Sequence, residues 1–227
     1  MIEGKGYHLK EFILAFADEK INDVAQILTF TGEDQKKYIK LLETFKETNS
    51  SQSSTKEKGK ALEEIVQFIL DKSAVFEVYS NVRTSSNEID ILARLNAKGK
   101  YFKGQGLLDF HDSFLSECKN YNKKVDVTWV GKFYSLVKYT KNNLGILFSY
   151  KGLSGDKWHN AVGLTKKIYL LEEDERYIID FNYNDFKKLS EGKSFIELIT
   201  EKIFNLKNDT SIQSFISEHP NQKLFPK

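Results

Sequence analysis

The chemistry of this chain centres on a glutamate and a lysine two positions apart, Glu117 and Lys119. They lie in the stretch 114–121, which we interpret as a strand. Residues two apart on a strand point to the same sheet face, about 6.5–7 Å from each other along the chain. A carboxylate and an ammonium placed in this way suit a metal ion, a phosphate and an attacking water. The alternative is an ordinary ion pair on a sheet surface.

A second carboxylate, Asp90, interrupts an apolar stretch that predicts a strand at 87–94. Ile89 and Ile91 flank it, so strand alternation predicts that Asp90 shares a sheet face with Leu92 rather than with the two isoleucines. A carboxylate in an apolar strand is costly unless it is paired or coordinates a cation. An exposed edge strand is the alternative explanation for Asp90.

Asp90 and Glu117 on adjacent strands can hold one or two hard divalent ions through their oxygens, with waters in the other positions. Such an ion would lower the pKa of a bound water and neutralise charge on a phosphodiester. Lys119 could orient that water and stabilise the phosphate oxygens.

A third acidic position lies on the predicted helix 58–70. Glu63 and Glu64 are adjacent there, and only one of them can turn toward the sheet. Glu63 lies one turn before Val66 and borders the apolar stripe of the helix, whereas Glu64 is nearer the solvated side. We therefore favour Glu63, with a fully solvated helix face as the alternative for both.

Lysines are concentrated after this strand, although the whole chain carries a net charge of only +2. Between 119 and 141 a single acid, Asp126, faces a series of lysines, with Tyr121, Trp129 and two further tyrosines interleaved. Such a patch suits a phosphate backbone, and its contribution to binding would depend strongly on salt. A solvated lysine-rich helix is the alternative. The candidate DNA-binding residues are Lys123, Lys124, Lys132, Lys138 and Lys141.

The periodicity of apolar residues places these groups on an α/β framework. After helix 58–70 it predicts a mixed central sheet flanked by helices. Residues 95–113 read as an excursion before the strand that carries Glu117, and an extra hairpin is one form it could take. The predicted strands are 75–79, 87–94, 114–121, 144–150 and 177–181, and the later helices are 129–139, 156–173 and 194–206.

The segment 1–47 predicts three short helices, which fit either a helix-turn-helix DNA-binding unit or a helical packing or oligomerisation module. Polar residues then dominate 48–57, which predicts a flexible linker. The main domain is expected at 58–207, followed by a polar tail at 208–227.

Composition limits the class of protein. An apolar fraction of 40% in 227 residues supports a real core. The single cysteine, Cys118, excludes an intrachain disulfide and a cysteine-based zinc cluster. The chain has neither a membrane-spanning apolar run nor a signal-peptide core at its N-terminus, so we expect a soluble cytoplasmic protein.

Four motifs in order resemble the PD-(D/E)xK nuclease core, and more narrowly its Mrr-like branch of restriction endonucleases. They are Leu62-Glu63 on a helix, Asn87-Glu88-Ile89-Asp90-Ile91 on a strand, Glu117-Cys118-Lys119-Asn120-Tyr121 on the next strand, and the helix and apolar strand that follow. The resemblance covers about residues 58 to 155. Ile89 stands where the family has proline. Asp90 and Glu117 are 27 residues apart, so 95–113 must be an insertion.

This resemblance implies a metal-dependent endonuclease that hydrolyses DNA, of a restriction or defence type. It implies Mg²⁺ as cofactor with Mn²⁺ as a substitute, Asp90 and Glu117 as metal ligands, and Lys119 as the catalytic lysine. Glu63 would assist in positioning the metal or the water. A homodimer is expected because such enzymes often cut both strands. The alternatives are a catalytically silent DNA-binding module of the same fold, or a nuclease acting on RNA or branched DNA.

Overall fold

The computed structural model describes residues 28–83, 88–106, 108, 110–155 and 159–209. Five strands form one sheet in sequential order: β1 (Phe76–Arg83), β2 (Glu88–Leu95), β3 (Ser113–Cys118), β4 (Leu144–Phe148) and β5 (Tyr177–Phe181). The helices of the described ranges are α1 (Gly32–Ser50), α2 (Thr55–Lys72), α3 (Ala97–Gly104), α4 (Val127–Tyr139), α5 (Ala161–Leu171), α6 (Tyr183–Ser190) and α7 (Phe195–Asp209). None of these helices is both long and apolar enough to cross a membrane.

The sheet is mixed, which confirms the predicted fold class. β1–β2 and β2–β3 are antiparallel, whereas β3–β4 and β4–β5 are parallel. Parallel neighbours require a crossover connection, and α4 and α5 provide the two crossovers. Every residue of β4 is buried, as expected for a central strand covered by helices on both faces.

Two apolar layers cover the two faces of this sheet. The large core contains buried residues of α1, α2, α6 and α7, and the small core contains those of α4 and α5. Strand β3 alternates between them, since Phe114 belongs to the large core and Leu115 to the small core. The predicted strand alternation around Glu117 is therefore confirmed for its apolar neighbours.

Helix α1 packs on the large core as part of the same layer as α2. Tyr38 and Phe45 on α1 are fully buried, and the Tyr38 hydroxyl donates a hydrogen bond to the Phe186 carbonyl at 2.8 Å. The third helix predicted in 1–47 is thus present as α1. The first two predicted helices lie outside the described residues.

The structure differs from the ten-residue linker predicted at 48–57. Residues 48–50 complete α1 and residues 55–57 begin α2, so only 51–54 connect the two helices. The polar residues have local partners: Thr48 donates its hydroxyl to the Thr44 carbonyl at 3.0 Å, and Ser54 forms a capping box with Glu57. Ser and Thr are common in flexible linkers and also at helix ends, where their side chains bond to free backbone groups. Composition therefore does not distinguish the two, which explains the difference from the predicted linker.

The excursion between β2 and β3 contains helix α3 rather than a hairpin. Asn96 caps this helix by accepting a hydrogen bond from the Gly99 N–H at 3.0 Å. A Cβ at Gly99 would lie 2.5 Å from the Val75 carbonyl oxygen, so only glycine allows this close approach. The Leu95 N–H donates to the Asp112 carbonyl at 2.7 Å, which closes the excursion and lets β2 and β3 pair.

Candidate active site

The pairing of β2 with β3 brings together two acids that are 27 residues apart in the chain. Ile91 pairs with Ser116, and the same antiparallel register places Asp90 across from Glu117 one position further on. The Cys118 N–H donates a hydrogen bond to Asp90 Oδ2 at 3.1 Å. One oxygen of Asp90 is therefore held by the backbone of β3.

The regular alternation of side chains along β2 is interrupted at Asp90. Ile89 packs in the small core and Ile91 in the large core, although strict alternation would put both on one face. On the neighbouring strand, Asn81 has a positive φ of 53° and the ladder skips the Asn81–Asp90 position. Simple alternation, which predicted Asp90 on the face of Leu92, therefore breaks down here.

Glu117 and Lys119 form an ion pair whose side chains are only 15% and 16% exposed. The Lys119 ammonium also lies 4.9 Å from the centroid of the Trp129 ring, within range of a cation–π interaction. Trp129 is near the start of α4, where the side chain of Asp126 caps the helix. The ion pair that the spacing allowed is therefore present. Helix α4 adds a contact to the lysine of this pair through Trp129.

Burial and neighbouring charges shift the protonation of this pair. Burial raises the pKa of the Glu117 carboxyl, and the charge of Asp90 raises it further, against the opposing hydrogen bond from Lys119. For Lys119, burial acts to lower the pKa, but the hydrogen bond and charge of Glu117, together with the charge of Asp90, outweigh it and raise the pKa. Lys119 is therefore a cation and not a general base at neutral pH.

Two acids of α2 border the cleft beside Asp90. Glu64 lies 3.6 Å from the Lys60 ammonium, on the solvated side. Glu63 is close enough to act on Cys118, whose thiol pKa is raised mainly by burial and further by the charges of Asp90 and Glu63. Both glutamates line the cleft, and Glu63 is the one of the two whose charge acts on Cys118. The raised pKa also makes Cys118 an unreactive thiol.

A cleft of about 530 Å³ lies between the helices α1 and α2 and the strands β1 and β2. Glu63 and Asp90 line it, whereas Glu117 and Lys119 are not among its lining residues and lie toward Trp129. Asp90 lines the cleft and also interacts with the region of Glu117. It accepts a hydrogen bond from β3, and its charge acts on Glu117. The cleft is lined by Lys37, Leu41, Glu63, Glu64, Gln67, Phe68, Asp71, Ser80, Asn81, Asp90, Ile91 and Cys118.

The candidate DNA-binding lysines do not form one patch. Lys132 lies 4.8 Å from the Trp129 ring centroid, and the Lys123 ammonium lies 3.2 Å from Asp126 at the start of α4. Lys124 is exposed in the same loop. These three lysines share the edge of the sheet that carries Lys119.

Lys138 and Lys141 lie at the opposite end of α4. Trp129 and Lys138 are nine positions apart, which corresponds to about 14 Å along the helix. Lys138 is paired with Glu172 at 2.9 Å, and Lys141 lines a separate cavity with Arg176 and Tyr177. The structure therefore does not bring these two lysines to the site.

Sequence reasoning missed a group of polar residues beside Lys119: Lys58, Asn120, Asn122 and Lys151. They meet through hydrogen bonds between residues 29 to 64 positions apart. Periodicity carries no information about such contacts. The sequence carried one signal, the position of Lys58 near the apolar stripe of helix 58–70. That position is consistent with the burial of Lys58 in the structure.

The donor set fits a hard divalent cation such as Mg²⁺. Within the described residues no group of three or more His, Cys, Asp or Glu side chains is placed to hold a metal ion. Mg²⁺, however, is commonly bound through one or two carboxylates and keeps several waters. Asp90 Oδ2 accepts the Cys118 N–H, which leaves Oδ1 without a hydrogen-bond donor among the described residues. Glu117 would supply the second carboxylate, and its raised pKa reflects burial and the nearby negative charge of Asp90, which a cation would offset.

Known protein families and solved structures include matches to this chain. A family model described as "Restriction endonuclease", that of the Mrr catalytic domain, matches residues 55–175, more than half of the chain. No curated protein matches the chain. Among solved structures, the chain is similar to one described as "DNA modification-dependent restriction endonuclease AspBHI", with 14% identity and a TM-score of 0.35. That match covers 82% of this chain and 42% of the other, so the chain spans less than half the length of that protein. By the family match, the chain belongs to the Mrr-type restriction endonucleases, a family of nucleases.

Proposed function

We propose that this protein is a Mg²⁺-dependent endonuclease that hydrolyses phosphodiester bonds of DNA, with Mn²⁺ as a substitute cation. The observation that carries the proposal is the meeting of Asp90, Glu117 and Lys119 at the end of the β2–β3 ladder. Asp90 and Glu117 would hold the cation, which supplies Lewis acidity toward a water molecule and a phosphate oxygen.

The protein's own groups position the reacting atoms. The backbone of β3 fixes Asp90 through the Cys118 N–H, so this carboxylate needs no reorganisation before binding. Lys119 is held as a cation by Glu117 and Trp129. Its ammonium can donate hydrogen bonds to a non-bridging phosphate oxygen and stabilise the charge that develops there.

Glu63 completes the proposed centre from the α2 side. Its side chain is exposed on the cleft wall, with no ion-pair partner among the described residues. From there its carboxylate can accept a hydrogen bond from a water and orient it. Lys123, Lys124 and Lys132 would bind the DNA backbone near the site. The positions of Lys138 and Lys141 argue for a weaker role of these two residues in DNA binding.

A plasmid-cleavage assay with Mg²⁺ tests this assignment. We expect Glu117→Ala and Lys119→Ala each to lower the cleavage rate by at least about 100-fold, the usual loss when a charge-stabilising group is removed. Lys187→Met, which removes an exposed lysine of α6, is the control for the loss of a positive charge and should cut at the wild-type rate. Cleavage by Glu117→Ala and Lys119→Ala at the wild-type rate would show that the assignment is wrong.

The two adjacent glutamates of α2 offer a matched pair for the third acid. We expect Glu63→Gln to slow cleavage by about tenfold or more, because it removes a water-orienting carboxylate. Glu64→Gln should have little effect, because Glu64 is directed to Lys60. Equal rates for the two variants would remove Glu63 from the proposed centre.

Competition experiments with duplex DNA, RNA and four-way junctions address the substrate. We expect duplex DNA to compete best, as the family membership suggests. Sedimentation of the protein with and without DNA measures the homodimer that cutting of both strands would use. A monomer on cleaved DNA would exclude that part of the proposal.

A further inference from the structure

A buried lysine beside the proposed centre has no counterion within the part of the chain that the structure describes. Lys58, in the first turn of α2, is only 7% exposed, and its ammonium donates a hydrogen bond to Asn122 Oδ1 at 2.7 Å. No carboxylate of the described residues lies within ion-pair distance of it. A buried ammonium with one neutral partner is costly, because its charge has lost water and gained no opposite charge.

A second ammonium is bound to the same asparagine. Lys151, in the loop after β4, donates to the Asn122 backbone carbonyl at 2.5 Å. Lys151 also has no carboxylate within ion-pair distance among the described residues, and its side chain is exposed. An ammonium has three N–H donors, so each of these lysines has donors left for an anion.

Asn120 connects this pair of lysines to Lys119. Its side-chain amide donates to the Lys58 carbonyl at 2.7 Å, and Asn120 is only 5% exposed. The Lys119 N–H donates to the Phe148 carbonyl at 2.8 Å, at the end of the strand that leads to Lys151. Lys58, Lys119 and Lys151 are therefore anchored at the same edge of the sheet by fixed backbone contacts.

Two acids of this region are paired with other lysines. Asp126 is paired with Lys123 at 3.2 Å, and Glu117 is paired with Lys119. Lys58 and Lys151 thus leave a local excess of positive charge next to the proposed scissile position. Two ammonium groups with spare donors match the oxygens of a phosphodiester, which accepts several charge-assisted hydrogen bonds at once.

We propose that Lys58 and Lys151 bind one backbone phosphate of the DNA strand that flanks the bond to be cut. This inference rests on the proposed function, because the flanking strand is defined by the centre at Asp90 and Glu117. In the complex, the phosphate provides the counterion that the described residues do not offer to buried Lys58. Asn122 then acts as a positioning residue that holds both ammonium groups toward the strand.

The test measures binding of a short duplex oligonucleotide, with Ca²⁺ in place of Mg²⁺, as a function of salt. We expect the double variant Lys58→Met/Lys151→Met to reduce the slope of log K against log salt by about 0.9, the contribution of the one phosphate contact that the two lysines share. Each single variant should reduce the slope by part of that amount. Each should weaken binding at least about tenfold at fixed salt, as expected for a lost charged hydrogen bond. Lys56→Met is the matched control, since Lys56 is an exposed lysine in the first turn of the same helix.

The proposal is overturned if Lys58→Met and Lys151→Met give the same slope and affinity as Lys56→Met. Circular dichroism melts verify folding, and exposed Lys151 decides the outcome if the buried Lys58 variant does not fold. If the wild-type protein cleaves DNA but the two variants leave the slope unchanged, the phosphate site is rejected and the nuclease assignment is retained. Reduced slopes in a protein that never cleaves would retain the phosphate site and reject the proposed hydrolysis.

Discussion

At the scale of single residues, the candidate site holds two carboxylates close to each other beside one lysine. Asp90 and Glu117 face each other across two strands, and burial with the charge of Asp90 raises the pKa of Glu117. Lys119 offsets part of this negative charge. In sites of this kind, the groups that bind a ligand lower the stability of the ligand-free protein. Ligand binding should therefore be measurable as an increase in the free energy of unfolding.

Mg²⁺ is therefore expected to raise the melting temperature. At about ten times its dissociation constant it should add about 1.4 kcal/mol, or about 3–5 °C for a protein of this size. Because the pKa of Glu117 is raised, its proton competes with the metal up to a higher pH than usual, so the shift should be larger at about pH 8 than at about pH 5. Thermal melts of the wild type and of Asp90→Asn measure it. An equal Mg²⁺ shift in both proteins would contradict Asp90 as a ligand.

Trp129 should influence catalysis through Lys119. Its ring lies 4.9 Å from the Lys119 ammonium and 4.8 Å from that of Lys132. We expect Trp129→Ala to lower kcat about three- to tenfold, the value of one partly buried cation–π contact, and Trp129→Phe to recover part of the loss. Lys132→Met is the control: it should weaken DNA binding and leave kcat at saturating DNA nearly unchanged. Steady-state kinetics separate these effects, and an unchanged kcat in Trp129→Ala would argue against the contact.

At the scale of elements, the site depends on how closely strands and helices approach each other. Strand β4 lies next to β3 in the sheet and is covered by α4, which carries Trp129. Gly145 makes this approach possible: a Cβ there would lie 2.7 Å from Phe133 and Val137 atoms and 2.9 Å from an Ile178 atom. The absence of a side chain at Gly145 thus sets the distance between α4 and the sheet.

Two glycines of this region should respond in opposite ways to alanine. Gly145→Ala should destabilise the protein by about 1–3 kcal/mol, because the added methyl overpacks the small core. Gly131→Ala should stabilise it by about 0.5–1 kcal/mol, because Gly131 lies inside α4 and the nearest atom to its Cβ would be 3.9 Å away. Urea unfolding measures both changes. A neutral Gly145→Ala would mean that α4 is free to move away from the sheet.

At the scale of the whole molecule, α1 and the nuclease domain share one core. Phe45 of α1 is fully buried, with ring centroids 5.3 Å from those of Tyr150 and Phe186. Tyr38 adds a buried hydrogen bond to Phe186. Since these contacts belong to the large core, we expect α1 to unfold together with the sheet.

Phe45→Ala should accordingly lower the stability of the entire protein, by about 3–5 kcal/mol as for other buried phenylalanines. Helical circular dichroism and tryptophan fluorescence should report one common transition at a lower urea concentration. Ile39→Ala, on the same helix but 39% exposed, should change stability by less than about 1 kcal/mol. An early helical transition followed by a separate fluorescence transition would show that α1 is an independent unit.

The sequence by itself determined the elements and the candidate residues that they carry. The strands bearing Asp90 and Glu117, the helix bearing Glu63 and the mixed α/β sheet all follow from apolar periodicity, because the side-chain directions of a helix or strand are a local property of the backbone. The shared direction of Glu117 and Lys119 was predicted for the same reason, and the ion pair between them, which was the alternative interpretation of this spacing, is present in the structure.

Only the tertiary structure decided which distant residues meet. The change of face at Asp90 occurs opposite Asn81 of the neighbouring strand, which has a positive φ, and the position of α3 allows the close approach of Gly99 to Val75. The separation of Lys138 from the site and the burial of Lys58 beside Asn122 likewise follow from packing. Contacts across many residues are selected by the energy of the whole core, which no local pattern of residues encodes.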